Sequence, residues 1–285
     1  MAERPRIAIV TDSTSDLTPE TQERYGITVV PLNVHFGQET FKDQIDLTTD
    51  EFMARLASAS KLPTTSQPSV GLFEETFRRL ANDYDEIVCI LISSRLSGTV
   101  QSATLAAEAL ADVIHVEVID SQNCTYGLGF QAIHAVELAK AAHSAAEIAA
   151  QLVSELNAYH VVFFVDTLEH LQRGGRIGKA AQLVGTLLQL KPLLRVDGGQ
   201  VVPFERTRTR SKAMAALVDF ARDISNIDRI AVIYNTTPND AARLAQQIAP
   251  LVDGDEIPIV QFGPVIAAHI GANAVGLAIR ESVDG

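Results

Sequence analysis

The first half of this 285-residue chain alternates short apolar runs with segments of helical periodicity, and that alternation limits the fold more than any other feature. RIAIVTD (6–12) reads as a buried strand. Thr18-Pro19-Glu20 then opens a helix, with threonine as N-cap and proline at the first helical position. ITVVPLNVHF (27–36) reads as another extended run. Thr48 and Glu51 have capping-box spacing for a helix through EFMARLAS. LPTTSQPSVG (62–71) reads as a loop with two prolines. EIVCILIS (86–93) and HVEVID (115–120) read as strands, each followed by a helical pattern: VQSATLAAEALA, then YGLGFQAIHAVELAKAA. Ser144 and Glu147 form a second capping box, opening a helix into AAEIAAQLVSELNAY. Parallel neighbours need a crossover, and helices supply it, so this half predicts a mainly parallel sheet with helices on both faces.

The pattern changes near Tyr159. VVFFVDT (161–167) reads as a strand, and KPLLRVDGGQVVPFERT (191–207) as a hairpin around Asp197-Gly198-Gly199-Gln200. A helix follows in SKAMAALVDFARDI, then a strand in RIAVIYNT, a helix opened by Thr237-Pro238, and strands at 257–263 and 274–280. Hairpin and crossover signals together predict a mixed sheet. The length suits two ordinary domains, here 1–158 and 159–285. A net charge of −12 argues against a general nucleic-acid binder and against broad attraction to anionic membranes. Cys89 and Cys124 make neither a disulfide framework nor a zinc site, and Cys89 reads as a buried thiol. The polar start, without a signal-peptide pattern, and the lack of a run near ~20 apolar residues predict a cytoplasmic protein without integral membrane association.

Several residues are candidates for chemistry. In ISSRLSGTVQSA (92–103), Ser97-Gly98 falls between a strand and a helix. Ligands of open α/β sheets bind at such strand ends, where a helix offers free amides. The same pair also suits an N-cap serine and a turn glycine, which the residues alone favour. Thr64-Thr65-Ser66-Gln67-Pro68-Ser69 is a second hydroxyl cluster, which the residues alone favour as a Pro-bounded loop with caps for a helix at 70–81. His269, in FGPVIAAHIGAN, is either an anion donor or base, or a satisfied core histidine. His134, His143 and His160 read as surface or boundary residues. Arg173, Arg176 and Lys179, and Arg206, Arg208, Arg210 and Lys212, form two basic clusters that serve either as solvated faces or as a phosphate-handling or docking surface. Asp12 and Asp16, just after the first strand, can serve as an acid, a metal ligand or helix caps, and capping is the safer assignment. Walker, nucleophile-elbow and metal motifs are absent.

Seven segments in order carry a family resemblance: VTDSTSDL, TTSQPS, ISSRLSGTVQSA, VIDSQNCTYGLG, LEHLQRGGRIG, LKPLLRVDGGQVVPFERTRTRSKA and FGPVIAAHIGANAVG. Together they resemble the DegV family, which includes the fatty-acid-binding (FakB-type) subunits of bacterial fatty acid kinase. The resemblance implies a two-domain α/β protein of the DegV-like (EDD) fold, with one long-chain fatty acid buried between the domains and no cofactor or metal. It further implies that Thr65, Ser97, the Gly98 amide and His269 hold the carboxylate. Arg173, Arg176, Arg206 and Arg208 would face a partner kinase that binds ATP and phosphorylates the carboxylate, the acyl phosphate then feeding phospholipid synthesis. On this view the chain carries no ATP site and no activity of its own, and its carboxylate cradle holds no fixed lysine or arginine.

The chain departs from the family pattern in places. Ala267-Ala268 and Ala272-Asn273 stand where Gly-Thr and Pro-Gly are common around the histidine, and Val100 stands where tyrosine is common. The residues also admit a rival class, an acyl hydrolase or transferase with Ser97 as nucleophile and His269 as base. A third reading has the arginine clusters bind a nucleotide or another phosphate ligand.

Overall fold

The computed structural model describes residues 5–184, 191–252 and 256–283. Leu190, which begins one of the matched motifs, lies outside them. Four strands, β1 (Ile7–Asp12), β2 (Ile27–Val30), β6 (Glu86–Leu91) and β7 (His115–Asp120), form a wholly parallel sheet in the order β2-β1-β6-β7. β1 and β6 are buried almost throughout, as continuous apolar runs in a doubly covered parallel sheet should be. A six-stranded mixed sheet takes β8 (Tyr159–Phe164), β9 (Lys191–Asp197), β10 (Gln200–Thr207), β11 (Ile227–Tyr234), β12 (Ile259–Gln261) and β13 (Val275–Glu281), ordered β10-β9-β8-β13-β11-β12. Only its β11–β12 pairing is parallel. The expected α/β class, with one parallel and one mixed sheet, is what the chain forms. A third, antiparallel sheet joins β3 (Asn33–Phe36), β4 (Glu39–Lys42) and β5 (Thr64–Ser66).

Helices complete the layers. α3 (Val70–Leu80) and α4 (Thr99–Ala109) cover one face of the parallel sheet. α5 (Thr125–Lys140) and α6 (Ala145–Ser154) fill the space between its other face and the mixed sheet. α8 (Arg210–Asp223) and α9 (Pro238–Ile248) cover the far side of the mixed sheet. α5 is buried on nearly every side, which explains its weak amphipathic pattern. Its glycines admit close neighbours: a Cβ on Gly127 would strike Val161, and one on Gly129 would stand 2.9 Å from the Ser15 carbonyl. The small sheet packs with α2 (Thr49–Ser58) and α10 (Pro264–Ile270) in a separate cluster around Leu32, Phe52 and Val265.

Some sequence expectations are corrected. The 27–36 run is not one strand: it breaks at Pro31-Leu32, and its halves join different sheets. Thr64–Ser66 is a strand rather than loop, pairing with β3. His134 is not a surface residue. It is 8% exposed because α5 is covered all round, and its Nε2 lies 3.0 Å from the buried Arg280 guanidinium. Ser93 and Ser102 are buried as well, and the Ser93 hydroxyl donates to the Gly199 carbonyl of the β9–β10 turn.

Candidate functional site

A cavity opens where the carboxyl end of the parallel sheet, the start of α5, β8 and the small sheet meet. Ile92, Leu96, Val161, Phe163, Leu171 and Phe262 are among its apolar walls, and Thr65, Ser66, Gln67, Ser97, Arg176 and His269 provide its polar lining. Its volume is only about 60 Å³, below the ~300–1,000 Å³ of ordinary small-molecule sites, so it is a narrow slot.

Thr65, Ser97 and His269 line the cavity together, whereas Gly98 stands beside it, against Gln67 and in a neighbouring surface groove. β5 presents Thr65, whose hydroxyl lies 2.9 Å from Nε2 of His269 on α10. Ser97, on the turn after β6, lies 2.9 Å from the Thr99 hydroxyl. Gly98 is the N-cap of α4 and offers no side-chain cap. A Cβ there would stand 2.9 Å from the Gln67 amide nitrogen, so a side chain at this position would displace Gln67 from the cavity lining. Gln67 was not singled out from sequence, although it stands beside Thr65 in the T-S-Q-P motif.

Arg176 is the main difference. It does not stand with Arg173 on an outer face but lines the cavity, donating from Nε to the Leu96 carbonyl at 3.0 Å and from a terminal nitrogen to the Gly174 carbonyl at 2.6 Å. The cradle therefore includes a fixed cation, contrary to the expectation of a cradle without one. After α7 (Glu169–Arg173), the Gly174-Gly175 turn, with Gly175 at φ 73°, reverses the chain and carries Arg176 inward. Gly174 has a second role, since a Cβ on it would fall inside the van der Waals envelope of His269 Nδ1. Burial first, then the nearby positive Arg176 and the His170 ring, push the His269 pKa down to about 4. At neutral pH His269 is thus an uncharged imidazole.

The other arginines lie outside. Arg173 is two-thirds exposed and pairs with Glu169 at 2.8 Å. Arg206 and Arg208 are exposed and, with Lys212 and Asp219, line a separate surface groove. Arg210 is tied down by Asp240, Thr237 and the Asn273 carbonyl. Asn273 occupies a left-handed conformation, φ 62°, that asparagine tolerates, and its amide donates to Asp166. The unusual Ala272-Asn273 pair therefore keeps the turn after His269 intact. Ala267 and Ala268 are simply buried helical residues of α10.

Three buried carboxylates underlie the site. Asp12 accepts from the Thr14 amide, as an N-cap should, and also from the Ile92 amide across the sheet at 2.7 Å. Asp16 and Asp43 accept from the amides of Gly263 and Val265 at the start of α10. Burial pushes Asp12 up to about 6, Asp43 up to about 7 and Asp16 well above the ordinary range. No group of three or more metal-ligating side chains occurs among the described residues.

Chemically, this is a narrow, mostly apolar slot whose polar lining comprises hydroxyls, the Gln67 amide, a neutral imidazole and a guanidinium. It suits an amphiphile with an oxygen-rich, anionic head. A serine-hydrolase arrangement is not assembled: Ser97 bonds Thr99, His269 bonds Thr65, and no carboxylate of the described residues orients Nδ1 of His269.

Comparison with known proteins gives the same architecture. A family model described as "Uncharacterised protein, DegV family" matches residues 6–282. A DegV domain-containing protein of Halalkalibacterium halodurans is 39% identical over 278 residues, covering 96% of this chain and 98% of its own. The DegV protein of Bacillus subtilis is 36% identical over 275 residues, covering 95% and 98%. Among solved structures, a DegV family protein from Thermus thermophilus, described as binding fatty acid, superposes with a TM-score of 0.89 at 36% identity, covering 97% of this chain and 100% of that one. A stearic acid-binding protein from Eubacterium ventriosum superposes with a TM-score of 0.86 at 28% identity, covering 96% and 98%. Among the described residues, no helix is long and apolar enough to cross a membrane.

Proposed function

Given that the chain belongs to the DegV family, we propose that it is a cytoplasmic fatty-acid carrier that buries one long-chain fatty acid and presents its carboxylate to a partner ATP-dependent fatty acid kinase. The observation that carries this reading is the narrow apolar cavity whose polar lining includes the Thr65–His269 pair, Ser97 and Arg176. The tail lies between two domains, 1–158 and 159–285. The carboxylate sits on Thr65, Ser97, the Gly98 amide and His269, beside Arg176.

The energetics support the reading. At ~0.8 kcal/mol per buried CH₂, a long tail contributes on the order of 10 kcal/mol gross. A buried carboxylate is costly unless several donors reach it, and the cradle offers them. A neutral His269 donates without neutralising the oxygen that must attack phosphorus. The kinase supplies the ATP, and the carrier needs no cofactor and no chemistry of its own. The acyl phosphate then enters phospholipid synthesis. Arg173, Arg206 and Arg208, exposed outside the cavity, are the docking contacts.

Denaturing mass spectrometry of the purified protein tests the ligand, and a co-purified fatty acid is the expected result. Protein that comes clean and also rejects added fatty acid would sink the reading. Arg173→Ala is expected to retain fatty-acid affinity while slowing phosphorylation by the partner. An equal loss of both would remove Arg173 from the docking surface.

A further inference from the structure

Asp16 lies beneath the cavity, not in it, yet both of its oxygens are committed to elements that form the cavity wall. Oδ2 accepts the Thr125 hydroxyl at 2.6 Å, and Oδ1 accepts the Gly263 amide at 2.9 Å. Thr125 lines the cavity at the first turn of α5. Gly263 is the N-cap of α10, whose residues Val265, Ile266 and His269 line the same cavity. Asp16 is 3% exposed, so these bonds form away from competing water.

The backbone around this carboxylate is unusual. Thr125 has φ 48°, and a β-branched residue there is a genuine outlier. Asp16 itself has φ 52°. Gln44 has φ 60°, and its amide reaches the Ser13 carbonyl at 2.9 Å and Asp16 Oδ1 at 3.4 Å. A Cβ on Gly263 would strike the Gln44 amide nitrogen and stand 3.0 Å from Asp16 Oδ1, so a side chain there would displace Gln44 and crowd the carboxylate. Strained backbone of this kind persists only where the surroundings hold it, and it clusters at ligand sites.

We infer that Asp16 is the positioning residue of the ligand cavity: it clamps strained Thr125 on one wall to the foot of the His269 helix on the other, and so sets the grip on the bound chain. The inference rests on the fatty-acid reading above. Asp16 touches no ligand and acts through Thr125 and α10. Six helical residues, Pro264 to His269, transmit a displacement at Gly263 to the imidazole, about 9 Å along the axis at 1.5 Å per residue. Asparagine cannot replace the clamp, because its NH₂ offers no acceptor to one of the two donors.

The test compares Asp16→Asn, Thr125→Ala and Thr125→Ser in the full chain, with oleate as the probe. Affinity is read by calorimetry, release by transfer to phosphatidylcholine vesicles, and the His269 ring by its NMR resonances. D16N and T125A are expected to bind oleate at least tenfold more weakly, release it faster and shift the His269 signals. T125S, which keeps the hydroxyl, is expected to stay within twofold of the parent. Parent-like binding and release in D16N and T125A would overturn the inference, and so would a T125S as weak as T125A. If D16N does not fold, the T125A–T125S pair decides alone. If the parent itself rejects oleate, the fatty-acid reading falls, and the His269 resonances of the same variants decide the clamp.

Discussion

Thr65 and His269 are 204 positions apart in the chain, and their side chains meet at 2.9 Å between Oγ1 and Nε2. β5 brings the threonine and α10 the histidine, so the contact exists only when the small sheet and the C-terminal helix are both in place. Removing the hydroxyl leaves the imidazole misaimed and one donor missing from the carboxylate. Thr65→Val, which keeps the shape, is expected to cost about 1.5 kcal/mol of binding, roughly tenfold in Kd. Thr65→Ser is expected to recover most of it. Fatty-acid titration of the three proteins checks this, and equal affinities would remove Thr65 from the cradle.

Gly174 offers a sharper probe of the histidine. Its φ of −73° is open to any residue, so alanine there carries no backbone strain. The added methyl would nonetheless occupy the space of His269 Nδ1. Gly174→Ala is therefore expected to displace the ring, with overpacking worth ~1–3 kcal/mol. Ligand affinity should fall further than the melting temperature accounts for. A variant with unchanged binding and a shifted His269 resonance would mean that the ring does not contact the ligand.

The strands and helices that position this site were legible because burial periods and caps act locally. Thr48, Ser144 and Pro238 stand at helix starts as their residue types require. Thr65, Ser97 and His269 were legible only as members of a motif set, since nothing local tells a ligand donor from a cap. What stayed hidden depends on approach between distant segments. Arg173 and Arg176 read alike in RGGRIGK, and only the turn at Gly175 sends one outward and the other into the cavity. Gly174 is bare for a histidine 95 residues later in the chain. Asp16 looked like a cap, yet two of its partners, Thr125 and Gly263, lie more than a hundred positions away.

Asp43 makes stability depend on pH. Burial raises its carboxyl from 3.8 to about 7, with negative Asp12 adding to the rise. A raised folded pKa means the native state binds the proton more tightly than the unfolded chain. The stabilisation is complete below about pH 4 and is lost as pH climbs through 7. Asp43→Asn keeps an acceptor for the Val265 amide but cannot ionise. Between pH 5 and 8 the parent is expected to lose on the order of 2 kcal/mol relative to this variant, at 1.36 kcal/mol per pKa unit. Denaturant melts at the two pH values measure the difference, and parallel shifts of both proteins would show that Asp43 does not titrate in this range.

His269 should report the ligand through the opposite sign. Its pKa is held down to about 4 by burial, Arg176 and His170, so it favours the native state above 6.5 and opposes it as pH falls toward 4. A carboxylate placed against the ring reverses part of that depression, because an adjacent negative charge favours the imidazolium. The NMR titration of His269 is therefore expected to move to higher pH when fatty acid is bound. Linkage then requires binding to take up protons, so affinity rises as pH falls through the titration of the complex. Fatty-acid protonation and the buried aspartates titrate nearby, and His269→Gln separates them: the variant keeps those contributions and loses the one from the ring. If parent and variant show the same pH profile of affinity, the carboxylate does not lie against His269, and the polar end of the cavity must be sought nearer Arg176 and Ser97.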